Sequence, residues 1–282
     1  MAPGSLIVVG TGIRTVGQLT TEAIAWMRIA DKLLYIVSDS IAVDLVMRLN
    51  PDGAESLQGF YAEGKPRQQT YDEMVEHILA RVREGHLTCV AAYGHPGVFA
   101  YPTHEAIRRA RAEGISARML PGISAEDCMF ADLGIDPGVH GCQSYEATDF
   151  LVNRRQIDPT SSVILWQIGA LGDATFQRER YNLSALPLLV DRLCKIYPAD
   201  HVVCLYEAAI LYGCEPVVVR LAIRDLATAD LSPVTTVYIP PARRPTPDLS
   251  LYNRLVALTP DFMAAGSSTW HQAPPPVATG SN

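Results

Sequence analysis

The chain has no surplus of basic residues: 23 lysines and arginines stand against 30 aspartates and glutamates, a formal charge of −7 over 282 residues. Nonspecific binding to a phosphate backbone needs a basic face that displaces counterions, so nucleic acid is not an expected partner. A C-x-x-C pair is also missing. The six cysteines (Cys89, Cys128, Cys142, Cys194, Cys204 and Cys214) fall mostly in apolar stretches. They are expected to be small buried hydrophobes in a reducing compartment, not a disulfide framework or metal site. No apolar run approaches the ~18 residues that span a bilayer, and no basic segment followed by an apolar one opens the chain. A soluble cytoplasmic protein without membrane contacts is expected. What is present is a globular composition, 48% hydrophobic and 19% charged, with mean hydropathy +0.10. The length exceeds the usual single domain of about 100–200 residues, which favours two packed domains.

Strand and helix patterns alternate along the first half. Ser5–Gly10 (SLIVVG) reads as a buried strand that runs into Thr11-Gly12 and an apolar-periodic stretch over residues 19–30. Residues 32–37 form a second strand pattern, Ser40–Leu49 a helix opened by Ser40, and residues 70–84 a helix with Met74, Ile78, Leu79 and Val82 on one side. Residues 88–93 and 116–120 are further strands, with a helix over 105–113 between them. This is the pattern of a parallel-sheet α/β domain. Residues 121–141 join the halves. Beyond them, residues 162–168 and 201–206 read as strands separated by a helix with Ser184 as cap and Pro187 in its first turn. Residues 215–220 and 234–239 resemble strands on a short connection, so a mixed sheet is expected. The domains predicted are 1–121, 122–242 and an extension over 243–282, where residues 249–263 form a short helix and residues 272–282 have nothing with which to build a core.

Three turns follow strand ends, where open α/β sheets bind ligands. Gly10-Thr11-Gly12 permits close approach of a backbone, but Thr15 occupies the third glycine position of the dinucleotide fingerprint. Taken alone it is equally an ordinary strand-to-helix turn. Residues 93–99 (YGHPGVF) bring Tyr, His, Pro and two glycines into one turn, although Tyr93 packed on the sheet and His95 on the surface fit the pattern as well. Residues 121–126 (PGISAE) repeat the design, with Ser124 as helix cap.

With the strand ending Trp166-Gln167-Ile168, these segments occur in the order and spacing of the tetrapyrrole methylase superfamily, over roughly residues 4–241. The resemblance implies two α/β domains with S-adenosylmethionine (SAM) folded in the cleft between them, S-adenosylhomocysteine as product, and a homodimer. Ile13-Arg14 stands where that superfamily usually has Pro-Gly, and His95 where it usually has Asp. Both departures, together with GTGI, YGHPGVFA, ARMLPGISAEDC, FADLGIDPG and YEATDF, resemble the borosin methyltransferases, which methylate backbone amides of ribosomally made peptides. In fungal members the peptide is the enzyme's own C-terminus. About forty residues follow Pro241 here, so the chain resembles the split bacterial type, iteratively methylating a separately encoded precursor with which it forms a complex.

An amide nitrogen is a poor nucleophile because its lone pair is delocalised into the carbonyl, so methylation needs a base near the N–H and a donor at the oxygen. Residues 60–71 (FYAEGKPRQQTY) carry such groups, and Tyr61, Arg67 and Tyr71 match the set implicated in catalysis in the borosin family. An adjacent guanidinium is expected to lower a phenol's pKa from about 10. Either tyrosine is the proton acceptor, with Arg67 stabilising negative charge. Gln58 stands where the family has a further aromatic. For SAM the resemblance carries over Tyr93, His95, Val98, Ala125, Gln167, Ala208, Thr235 and Thr236. No metal is implied, and a structural role is expected for His104. The competing readings are a tetrapyrrole C- or N-methylase and a non-catalytic SAM- or peptide-binding module.

Overall fold

A computed structural model describes residues 4–37 and 39–258. The first half is one parallel sheet, in the order β3-β2-β4-β1-β5, with helices on both faces. β1 (Ser5–Gly10) leads through a distorted turn, α1 (Thr15–Gln18), to α2 (Thr21–Ile29). β2 (Lys32–Ile36), α3 (Ser40–Leu49) and the short β3 (Ala54–Ser56) follow. Next come α4 (Arg67–Arg83), β4 (Leu87–Ala92), α5 (Tyr101–Ala112) and β5 (Ser116–Met119). Side chains alternate across a strand, and β1 shows the consequence. Leu6 and Val8 join the apolar cluster under α4 and α5, while Ile7 and Val9 join the one under α2 and α3. A strand buried on both faces must be apolar throughout, which is why SLIVVG was legible.

In the second half α6 (Ala125–Leu133) and α7 (Pro137–His140) precede β6 (Cys142–Glu146), α8 (Ala147–Val152) and β7 (Ser162–Trp166). α9 (Leu186–Leu193), β8 (Val202–Glu207), β9 (Val217–Ala222), β10 (Thr236–Ile239) and α10 (Leu249–Leu258) complete the described chain. The order is β6-β7-β10-β8-β9. β6 and β7 are parallel and the remaining pairs antiparallel, the mixed sheet that the sequence predicts. β7 alternates like β1: Val163 and Leu165 face the cluster that includes Leu189 and Leu193 of α9, whereas Ile164 and Trp166 meet Met129 of α6.

Several local expectations need correction. Asp39, not Ser40, caps α3, accepting from the Ala42 amide at 2.8 Å. Ser184 does not cap α9. Its amide is turned onto Asn182 Oδ1 at 3.0 Å, an Asx turn, and the helix begins at Leu186 without a side-chain cap. Among the cysteines only Cys89 and Cys204 are buried; Cys194 and Cys214 are exposed. α10 buries none of its residues, and the rest of the predicted helix and the tail 272–282 lie outside the described residues. No described helix is long and apolar enough to cross a membrane.

The carboxyl ends of β1 and β4 and the turn after β5 converge. A Cβ at Gly10 would stand 2.4 Å from the Gly94 carbonyl oxygen and 2.9 Å from Gly122 Cα. Only glycine allows three backbones to approach so closely. Gly10→Ala is therefore expected to cost about 1–3 kcal/mol, as overpacked sites do, lowering the midpoint of thermal unfolding; an unchanged midpoint would contradict this packing.

Candidate functional site

The segment carrying Tyr61, Arg67 and Tyr71 is not a free loop. After a 3-10 turn over Gln58–Phe60, residues 64–67 pair antiparallel with a stretch of the second half. The Gly64 amide donates to the Phe176 carbonyl at 2.8 Å, the Phe176 amide to Lys65 at 2.8 Å, and the Arg67 amide to Ala174 at 2.9 Å. Pro66 and Thr175 form the bridge between them. Helix termini leave amides unpaired. At α4, which has no side-chain cap, the second half supplies a carbonyl for the first of them. The Arg67 guanidinium also donates to the Asp173 carbonyl.

Tyr61 and Tyr71 are half-buried and near enough for each to shift the other's proton affinity. Tyr61 lies against Phe176, ring centroids 4.8 Å apart, and Tyr71 stacks on Tyr101 at 6.2 Å. Beside them opens a cleft of about 600 Å³, lined by Arg67, Tyr71 and Phe99 from the first half and by Glu146, Gln167 and Asp173 from the second. Phe99 and Gln167 both hold positive φ, 50° and 58°. Such backbone costs of order 1–3 kcal/mol in a residue with a side chain, and it concentrates at ligand sites. Phe99 is 51% exposed, and its ring lies beside Trp166 of the second half, centroids 5.5 Å apart.

The remaining candidates lie at the ends of the same strands but outside the lining of this cleft. The Tyr93 amide bonds Ile36 at 2.8 Å. His95 Nδ1 accepts from the Gly97 amide at 2.9 Å, which leaves Nε2 to carry a ring proton, and its carbonyl accepts from Val98 at 3.1 Å. Ala125 is the first residue of α6, behind Ser124, whose hydroxyl and amide form a reciprocal capping box with Asp127. Because β10 is antiparallel to β7 and β8, Gln167, Ala208, Thr235 and Thr236 gather at one edge of the second sheet. The threonines are buried. Thr235 gives its hydroxyl to Glu207 and Thr236 directs its own toward the Val234 carbonyl at 3.5 Å, so a ligand there would meet backbone. Among the described residues no group of three or more His, Cys, Asp or Glu is placed to hold a metal. His104 Nε2 bonds the Gly97 carbonyl at 2.8 Å.

Residues 5–213 match the family described as Tetrapyrrole (Corrin/Porphyrin) Methylases. The chain belongs to that family. Among solved structures, the chain resembles a cobalt precorrin-4 methyltransferase of cobalamin biosynthesis at a TM-score of 0.60 and 17% identity, over 86% of this chain and 96% of that one, a likeness of fold. A methyltransferase and ribosomally synthesized cyclic peptide gymnopeptides precursor of Gymnopus fusipes is 42% identical over 275 residues, 96% of this chain and 65% of the relative. A methyltransferase and ribosomally synthesized type III borosin cyclic peptide precursor of Anomoporia bombycina is 40% identical over 86% of this chain and 28% of the relative. The chain thus spans less than two thirds of the length of these curated relatives. Both are fungal and carry enzyme and precursor in one name.

Burial reverses one electrostatic expectation for the cluster. It pushes the Tyr61 phenol far above its ordinary value, helped by the neighbouring Tyr71 and only partly opposed by Arg67. Tyr71 is also raised by burial, with Arg67 and Tyr61 pulling it down. The guanidinium acts in the predicted sense but loses to desolvation. The asymmetry separates the two residues: Tyr71 is the more readily ionised. Tyr93 is pushed up to about 12, chiefly by burial.

Sequence reasoning missed Asp173, Phe176 and Tyr181, which sit in a stretch without periodicity. Tyr181 lies near enough to both phenols to raise them and accepts from the Gln177 amide at 3.2 Å. Gln18 was missed as well. Its Oε1 holds the Ile13 and Arg14 amides, each at 2.8 Å, and its amide reaches Cys128 of α6 at 3.6 Å.

Folding raises Tyr61 and Tyr71 above the value of 10.0 that they take in the unfolded chain, so at higher pH the native state keeps protons the unfolded chain has lost. This stabilisation is complete below about pH 10 and disappears as the pH climbs through the native values. Stability measured by denaturant unfolding is expected to fall from about pH 9 to about pH 11, and Tyr61→Phe to flatten the decline; equal slopes for both proteins would remove Tyr61 from the account.

Proposed function

We propose that the protein is a SAM-dependent methyltransferase that places methyl groups iteratively on backbone amides of a ribosomally made peptide. The observation that carries this reading is the Tyr61–Tyr71–Arg67 cluster, a proton acceptor and a cation gathered beside a cleft of 600 Å³. That volume lies within the range of small-ligand sites. The strained Gln167 at its edge and the glycine turns at the strand ends fit an adenosine-bearing cofactor: the turns bring backbone amides to the ligand without a Cβ in the way. Gln167 would meet the adenine edge, and Val98, Ala125, Ala208 and residues 235–236 would hold the rest through backbone, with Tyr93 and His95 flanking. Bound SAM supplies an electrophilic methyl on a sulfonium.

The chain's own groups handle the acceptor. Tyr71 Oη takes the proton of the amide N–H as the nitrogen gains its methyl, Tyr61 donates to that oxygen and steadies the phenolate, and Arg67 offsets the negative charge that develops on the amide oxygen or the phenolate. Two carbonyls of the second half fix Arg67, so its guanidinium is positioned before substrate arrives. The relatives' names, which couple methyltransferase to cyclic peptide precursor, support a peptide acceptor over a tetrapyrrole. Within this reading the acceptor is a separate chain held in complex with a cytoplasmic homodimer. The fused arrangement those names describe is the competing case.

Incubation with SAM and a separately supplied precursor peptide, followed by tandem mass spectrometry, tests this. Stepwise methylation on backbone nitrogens is expected. Methylation confined to a covalently attached peptide would select the fused arrangement, and turnover of a corrinoid alone would refute the peptide reading. Tyr71→Phe is expected to lower turnover by about 10²–10⁴-fold, the usual contribution of a positioned base. As Tyr71 is raised above 10.0, wild-type turnover should climb about tenfold per pH unit up to about pH 9; a profile flat from neutrality would assign the base elsewhere.

A further inference from the structure

Phe176 is an aromatic residue with no part in any apolar core. Among the described residues it belongs to none of the four hydrophobic clusters, and it is half-buried. Its ring meets Tyr61, at 4.8 Å and 39° between planes. Its backbone is fixed from both sides, accepting from Gly64 and donating to Lys65, each at 2.8 Å. Just beyond, the Gln177 amide is held by the Tyr181 hydroxyl at 3.2 Å, and the Arg178 amide by Glu63 at 3.1 Å. The stretch is thus anchored on either side of the ring.

Tyr61 borders the cluster under α4. Rotation about its Cα–Cβ bond swings the whole ring and the hydroxyl with it, so the groups packed against the ring decide where the hydroxyl sits. The second half contributes Phe176 to that packing. We propose that Phe176 is a positioning residue of the methyl-transfer site: its ring, delivered by the second half, holds the Tyr61 phenol in its place beside Tyr71 and Arg67. Tyr61 in that place lowers the proton affinity of Tyr71, so an aromatic residue of the second half governs the readiness of the base. The proposal rests on the phenol–guanidinium reading of the site, and it makes assembly of the base depend on contact between the two halves.

Phe176→Leu keeps the backbone pairing and most of the volume while removing the ring face; Phe176→Tyr restores the ring. Against the precursor peptide, Phe176→Leu is expected to lower kcat by at least roughly tenfold with unchanged calorimetric affinity for S-adenosylhomocysteine, and Phe176→Tyr to recover most of the loss. A second measurement needs no substrate: NMR titration of isotope-labelled tyrosine Cζ in the intact protein. The Tyr71 midpoint is expected to move to higher pH in Phe176→Leu and to stay at its wild-type position in Phe176→Tyr. A wild-type Tyr71 titration in Phe176→Leu overturns the proposal, and so does an equal loss of rate in both variants with a lowered unfolding midpoint, which would make Phe176 merely structural. If the wild-type protein leaves the peptide unmethylated, the functional reading fails, and the Tyr71 titration still decides the role of Phe176.

Discussion

The pairing of residues 64–67 with residues 174–176 is the interaction on which the site depends. Three backbone hydrogen bonds and the Arg67 guanidinium tie the start of α4 to the second half. Each such bond contributes only about 0.5–1.5 kcal/mol net. Their importance is geometric: they set where the helix begins, and with it the direction in which Arg67 leaves the backbone and the turn from which Tyr71 projects. A second tie runs from the first glycine turn through Gln18 to Cys128 on α6. The cleft is thereby lined from both sheets, and neither half carries the full set of groups.

Competing electrostatic effects decide the division of labour within the cluster. Arg67 acts on both phenols in the same direction, and burial acts on both in the other. What breaks the symmetry is their mutual influence, which raises Tyr61 and lowers Tyr71. Two tyrosines that the sequence leaves interchangeable thus differ in how readily they ionise. A buried phenol of raised pKa is a stronger base once ionised and a rarer one beforehand. A cationic ligand bound nearby would shift that balance toward the phenolate by the same Coulombic rule.

The fold was legible where burial on both faces forces a continuous apolar run, as in SLIVVG of β1 and SVILW of β7. The glycine turns were legible one by one, because close backbone approach leaves few residue choices; that Gly10, Gly94 and Gly122 meet is seen only in the fold. Helix caps were less so. Ser40 and Ser184 are good capping types, yet Asp39 and an Asn182 turn stand in their places, since a neighbouring oxygen competes for the same amides. Of the candidate site, Tyr61, Arg67 and Tyr71 were nominated from residue type and resemblance, and the fold brings them together. The groups around them were not legible. Asp173 meets Arg67 through its main-chain oxygen, which no side chain advertises, and Phe176 meets Tyr61 from an irregular stretch without period. The direction of the phenol shifts was misread for a related reason: sequence shows the neighbouring charge but not the burial that opposes it.

The most direct test of a site assembled across the two halves is amide hydrogen exchange on the intact protein, read at Gly64, Arg67 and Phe176. The account predicts that all three amides are protected and open with one common free energy, as members of a single cooperative unit. Exchange of any of the three at the rate of an unstructured peptide, with the β1 and β7 amides still protected, would contradict it.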